Sequence, residues 1–485
     1  MWSFIISLCA LVIGYFTYGC LVDRVFGPDP ARVTPAISRQ DGVDFVPMSA
    51  WRVFMVQFLN IAGTGPIFGA IMGAKFGPSC YLWIVFGCIF AGAVHDYLSG
   101  MLSIRSDGKS IPNIVGHILG KGARIAMLVF SVVLLLLVGT VFVYSPALIL
   151  GDIAGDGSRY AIMSWVFVVF AYYIVATLLP VDKVIGRFYP IFAFALLFMA
   201  FGLMICLFVK WPSIPEFWNG LDNMGPSIGM TGQKVFPCLF ITVACGALSG
   251  FHSTQTPIMA RCVKNERLGR PIFYGAMITE GIVALIWAAV SSYFFFDGGA
   301  EAVGSNLQAA APAVVTKVSQ SWLGVFGGIL AILGVVAAPI TSGDTAFRSA
   351  RLIIADSMHF DQKSKKNRLV IAIPVFVVAC FLLWYNIADE NGFNVIWRYF
   401  GWANQTLATI VLWTAAVWLS ENKKGVRYLI AMLPAAFMTL VVTSYICMEK
   451  LGFQLPYGTS VIIGLALAVL FTVMFYRKRI RDSKL

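Results

Sequence analysis

A chain of 485 residues that is 59% apolar and 12% charged, with a mean hydropathy of +0.82, excludes a water-soluble globular domain and leaves no linker long enough for a second folded unit. Its net charge of +12 sits in short loops between apolar runs, which excludes a basic nucleic-acid-binding face and matches the positive-inside bias of membrane proteins. The ten cysteines fall mostly inside apolar runs with no CxxC spacing, so neither a disulfide framework nor a zinc site is expected.

A helix crosses a bilayer core with about 20 apolar residues. Thirteen such spans are expected, at 2–22, 51–73, 80–103, 123–150, 160–179, 188–209, 233–258, 271–296, 322–346, 369–386, 394–419, 428–448 and 456–475. The first has no basic residue ahead of Asp23 and is too long for the apolar segment of a signal peptide, so it is taken as a retained transmembrane helix. With the N-terminus outside, the cytoplasmic segments hold 28 Lys and Arg and the other side holds 7, which orients an odd number of spans with a cytoplasmic C-terminus. Asp107-Gly108-Lys109 is expected as a cytoplasmic turn, and Asp361 to Arg368 as a solvated charged loop. The basic tail from Tyr476 to Arg481 serves topology, with specific anionic-lipid binding as the alternative.

Two spans carry backbone that resists staying helical. The second contains Ile61-Ala62-Gly63-Thr64-Gly65-Pro66, and the seventh contains Ala244-Cys245-Gly246-Ala247-Leu248-Ser249-Gly250-Phe251-His252. Pro66 removes an N–H where a new half-helix can begin, and Ser249 is placed to cap a half-helix restarting near Phe251. Each break opens a block of five spans, and an odd block inverts its successor, as in inverted-repeat transporters. The expected fold is an all-α membrane protein with an accessory helix in 1–30, a five-helix repeat in 51–210, its inverted copy in 233–419, and two accessory helices with a basic tail in 428–485. Close packing of glycine faces is the structural alternative at each break taken alone.

These runs, together with Gly92-Ala93-Val94-His95-Asp96-Tyr97, Ser103-Ile104-Arg105-Ser106-Asp107-Gly108, Pro339-Ile340-Thr341-Ser342-Gly343-Asp344 and Trp397-Arg398-Tyr399-Phe400-Gly401-Trp402-Ala403-Asn404-Gln405, make the chain resemble the carbon-starvation protein A family of bacterial uptake proteins almost throughout. The resemblance implies a plasma-membrane transporter of pyruvate, with peptides second, used when carbon is scarce. It also implies distant kinship with the amino acid–polyamine–organocation superfamily and its five-plus-five core. One departure is visible: longer members carry a His-His pair where this chain has Val56-Gln57.

Candidate substrate contacts follow from the breaks. Asn60 lies near the midplane, where an amide must find a substrate carboxylate, water or a neighbouring helix, and Ala62, Gly63, Thr64 and Gly65 offer backbone groups and a hydroxyl. Ala244, Gly246, Ser249 and Gly250 supply the second half of the pocket, followed by His252, Ser253 and Gln255. Asn404 and Gln405 resemble family signature residues, with helix bridging as the alternative. Glu280 sits at midplane depth, where an ionised carboxylate costs about 2.5 kcal/mol or more on insertion scales, so it must be protonated, paired or facing water. It is the leading candidate for proton coupling, beside His252 and Asp344. His95, Asp96 and Arg348 are candidates for a gate, with Asp344 pairing to Arg348 one turn on. The superfamily likeness makes Thr341, Ser342 and Thr345 candidate sodium ligands, since hydroxyl and carbonyl oxygens suit a hard cation. No cofactor is expected apart from sodium as a coupling ion. With no HExxH, nucleophile elbow or phosphate loop, no enzyme is expected either. The rivals to a proton-coupled carboxylate importer are a sodium-coupled peptide or amino-acid transporter and, from another class, a metabolite-binding membrane sensor.

Overall fold

The computed structural model describes all residues except 43–44, 155–157, 179–180, 359, 361–364, 389–391, 451 and 483–485. Every regular element among the described residues is helical. Among the described residues nine helices are long and apolar enough to cross a membrane, and a bent pair, Ala50–Ile61 with Gly65–Ala74, brings the number to ten. This is fewer than the thirteen spans expected. Two of the remaining runs lie inside the helices Ala311–Met358 and Gly392–Asn422, and the run at 233–258 is split in two. These segments carry polar residues such as Thr341, Ser342, Asp344, Asn404 and Gln405, which lower their hydropathy. The charged loop expected from Asp361 falls partly outside the described residues, and helix has already begun at Lys365.

The helices sort by burial. Ala50–Ile61, Gly65–Ala74, Gly250–Ala260 and Gly275–Phe296 are buried along most of their length. The helices Lys365–Ala388 and Tyr457–Asp482 instead turn large apolar side chains outward, among them Ile373, Val377, Phe381, Trp384, Ile462 and Leu465. Exposed apolar surface on this scale is unfavourable in water and favourable against lipid chains. The chain is a multi-pass membrane protein whose inner helices are shielded from lipid.

Both expected breaks are present. The first helix stops at Ala62, and the chain restarts at Gly65 with Pro66 in the first turn, bent by 49°. The second break runs from Val243 to Ser249, between Phe240–Thr242 and Gly250–Ala260. Gly246 there has φ +90°, a left-handed conformation suited to glycine, and a Cβ on it would press on Ala284 at 2.5 Å. The two breaks touch: a Cβ on Gly65 would run into the Cys245 sulfur. Unwound backbone from two distant parts of the sequence is thus brought together inside the helix bundle.

Candidate functional site

Where the second half-helix meets its neighbours, four ionisable side chains join. His95 and Asp96 lie in the first turn of Ala93–Arg105, directly after one wide π-helical turn at Cys88–Gly92. An extra residue in such a turn rotates the following side chains relative to the preceding helix, a device common at functional sites. His252 lies in the first turn of Gly250–Ala260, and Glu280 lies in Gly275–Phe296. His95 Nδ1 is 2.8 Å from Asp96 Oδ1, Asp96 Oδ2 is 2.8 Å from His252 Nδ1, and His252 Nε2 is 3.3 Å from Glu280 Oε2. All four side chains are fully buried.

The chemistry of this row follows from its geometry. Both ring nitrogens of His252 face a carboxylate, so with Nδ1–H donated to Asp96 the other nitrogen has two options. It can accept a proton from neutral Glu280, or donate one to ionised Glu280 as an imidazolium. Burial penalises every unbalanced charge, so the row favours states in which charges pair or cancel. It can therefore hold or release a proton with little movement of heavy atoms. Cys245 adds a thiol, its sulfur, a His252 ring nitrogen and a Glu280 oxygen lying within 4.8 Å of one another. The thiol is engaged by Ser249 Oγ at 3.5 Å and the Asn404 amide at 3.6 Å.

Side chains from other helices bond to the second break. The expected cap by Ser249 is corrected: its hydroxyl makes no cap bond, and Asn404 Oδ1 accepts the Phe251 N–H at 2.7 Å from another helix. A carboxamide acceptor reaches the N–H that the short serine side chain, turned towards Asn404 at 3.2 Å, leaves free. The Trp83 indole donates to the Val243 carbonyl at 2.9 Å. Asn404→Ala should remove about 1–2 kcal/mol of stability. Thermal unfolding of the detergent-purified protein checks this, and an unchanged melting temperature would show that the cap carries no weight.

The first break is less satisfied. Ser342 Oγ donates to the Leu59 carbonyl at 3.2 Å, but Asn60 Oδ1 and Thr64 Oγ1, both buried, have no hydrogen-bond partner among the described residues. The half-helix Gly65–Ala74 begins with no side-chain cap. Gly63 packs against the Phe142 ring, and its absent side chain leaves Ser342 Oγ close by, 3.4 Å from where a Cβ would sit.

The other candidates are placed as follows. Ala62, Ala244 and Gly250 are buried backbone positions at the breaks. Ser253 turns onto the Gly250 carbonyl at 2.7 Å, and Gln255 reaches Ser349 Oγ at 3.3 Å, so neither joins the four-residue row. Gln405 donates to the Phe240 carbonyl at 2.9 Å, bridging helices. Thr341 and Thr345 donate to carbonyls of their own helix, whereas Ser342 donates to the Leu59 carbonyl at the first break. Asp344 lies 3.4 Å from Arg348, which also donates to the Ala176 carbonyl at 2.7 Å, and neither joins the four-residue row. Sequence reasoning missed Cys245 as a side chain of the site, although it lies in the glycine run that marks the break. It also missed Gln57, whose amide is 3.4 Å from Thr256 Oγ1.

Comparison with known proteins agrees with this architecture. A crystal structure of the manganese transporter of Eremococcus coleocola shares the fold, with a TM-score of 0.58 at 11% identity over 91% of this chain and 98% of that one. An uncharacterized membrane protein of Haemophilus influenzae is 46% identical over 61% of this chain and 91% of its own length. The peptide transporter CstA of Escherichia coli is 27% identical over 98% of this chain and 84% of its own. The pyruvate/proton symporter BtsT of the same organism is 24% identical over 91% and 80%. The named relatives and the structural neighbours are transporters, not enzymes. The family description "Carbon starvation protein CstA" matches residues 1–154, 141–325 and 314–445, so the chain belongs to the carbon starvation protein CstA family.

Proposed function

We propose that this protein imports a small carboxylate nutrient across the plasma membrane by alternating access, with pyruvate first and short peptides second, and with a co-transported proton. The core is read as two inverted five-helix repeats within thirteen spans, the N-terminus outside. The observation that carries the reading is the buried row His95–Asp96–His252–Glu280, set beside two touching helix breaks. The names of the relatives from Escherichia coli support a carboxylate or peptide cargo and, for one of them, a proton.

The two breaks divide the labour. Asn404 takes the Phe251 N–H of the Gly250–Ala260 half-helix, whereas the Gly65–Ala74 half-helix has no side-chain cap and is flanked by Asn60 Oδ1 and Thr64 Oγ1, which have no partner among the described residues. An open helix N-terminus attracts an anion. The cargo carboxylate therefore accepts from the N–H groups of Gly65 and Ile67 on either side of Pro66 and from the Thr64 hydroxyl, with the Asn60 carboxamide turned to present its NH2. The proton sits between His252 and Glu280. Because the breaks touch at Gly65 and Cys245, moving one half-helix shifts the other, which links cargo to proton.

Sodium coupling is the second reading, favoured by the contact of Ser342 with the Leu59 carbonyl. Uptake of radiolabelled pyruvate into proteoliposomes under separately imposed proton and sodium gradients decides between them. Accumulation that follows the pH gradient and survives replacement of sodium by choline supports proton coupling. Accumulation that needs sodium supports the rival, and binding without flux would favour a sensor.

A further inference from the structure

A cavity of about 230 Å³ opens beside the second break and is lined by Phe68, Lys75, Thr242, Gln308, Trp397 and Arg398, with Glu449 at its edge. We infer that this cavity is a first capture site for the cargo's carboxylate, with the Lys75 ammonium as its ligand, ahead of the site at the first break. This rests on the proposed import of a carboxylate.

The charges in the cavity do not balance. Arg398 is paired with Glu449 at 3.2 Å. Lys75 is 7% exposed, has no ion pair among the described residues, and lies over the Phe295 ring at 5.0 Å. An ammonium withdrawn from water without a counter-ion is unfavourable, and a cation–π contact returns only about 0.5–2 kcal/mol. An entering carboxylate supplies the missing charge. With a water occupying about 30 Å³ in the liquid, the cavity has room for a three-carbon acid together with some of its hydration shell.

The cavity also lies on a route to the deeper site. Lys75 directly follows the half-helix Gly65–Ala74, whose other end is the uncapped N-terminus at the first break. The two ends are separated by about 15 Å at 1.5 Å per residue. Phe68 lies one turn above the break, and its ring centroid is 6.0 Å from that of Trp397, also in the cavity lining. Thr242 is the last helical residue before the second break. A carboxylate held at Lys75 thus reaches the Gly65 end when the Phe68–Trp397 pair separates.

Two measurements test the proposal. In the first, Ala310→Cys places a thiol in the same cavity at an exposed residue, and mass spectrometry reads its labelling by an anionic sulfonate thiosulfonate reagent and by a cationic trimethylammonium one. The anionic reagent should be favoured, and adding Lys75→Gln should shift the rate ratio by about tenfold towards the cation, in line with electrostatic focusing in clefts. In the second, Lys75→Gln should raise the pyruvate KM about tenfold, with the smaller share of the loss in Vmax, and Lys75→Arg should recover most of it. An unchanged labelling ratio without Lys75, or a loss confined to Vmax, overturns the capture site. If the labelling preference holds but the wild-type protein carries no pyruvate, the anion site stands and the assigned cargo falls.

Discussion

Glu280→Gln should leave pyruvate uptake unable to respond to a proton gradient. With one proton carried per monocarboxylate, one pH unit is worth about 1.4 kcal/mol, or about tenfold accumulation in proteoliposomes. The variant should bring that ratio close to one while still exchanging labelled for unlabelled pyruvate. A glutamine is nearly isosteric with glutamic acid and keeps an N–H donor towards His252 Nε2, 3.3 Å from the present Oε2. It therefore imitates the proton-loaded row and cannot give the proton up. Exchange needs only that the loaded protein open to both sides in turn. His252→Asn should lose both behaviours, because it removes the group that links Asp96 to Glu280. If Glu280→Gln still accumulates pyruvate tenfold per pH unit, the coupling proton does not ride on this carboxylate. Loss of exchange as well would point to a structural role.

What the sequence makes legible here is mostly backbone chemistry. Gly63, Gly65 and Pro66, and Gly246 with Gly250, mark the two breaks because missing side chains and a missing N–H act locally, whatever surrounds them. Side-chain partnerships were much less legible. Glu280 looked isolated because its partner His252 lies on a different helix, beside the second break, and His252 and Asp96 are 156 residues apart. His95 and Asp96 looked like gate residues for the same reason: only the packing of Ala93–Arg105 against Gly250–Ala260 makes them part of the row. The cap shows the limit most clearly. Ser249 has the right chemistry at the right position, but Asn404, 153 residues from Phe251, takes the N–H. Thr341 and Thr345 show the reverse case. Hydroxyls in membrane helices readily donate to carbonyls a turn earlier, so two hydroxyls of suitable type prove to be satisfied within their own helix. Lys75 counted in the sequence only as one of the few cations on the outer side, since neither its burial nor its lack of an acidic partner among the described residues is a local property.

Gly65→Val should reduce transport to the background of empty liposomes. A Cβ at this position would run into the Cβ and sulfur of Cys245, and a branched side chain adds two further methyls where no space remains. Overpacking in a close-packed interior costs about 1–3 kcal/mol even where neighbours can shift. Here the neighbour belongs to the unwound segment between Val243 and Ser249, held by Trp83 at Val243 and by Asn404 at Cys245 and Phe251. The strain therefore spreads to the proposed cargo site at Thr64 and, through His252, to the buried row that ends at Glu280. Since misfolding would give the same loss, a milder pair isolates the contact. Gly65→Ala alone should lower the initial rate of uptake strongly, by tenfold or more if the full strain of about 1.4 kcal/mol falls on the transport cycle. Adding Cys245→Gly, which removes both clashing atoms, should restore a large part of that rate. Size-exclusion profiles of the purified variants check that each remains monodisperse. Wild-type uptake by Gly65→Ala, or failure of Cys245→Gly to restore any of the loss, would show that the two breaks do not move against each other during transport.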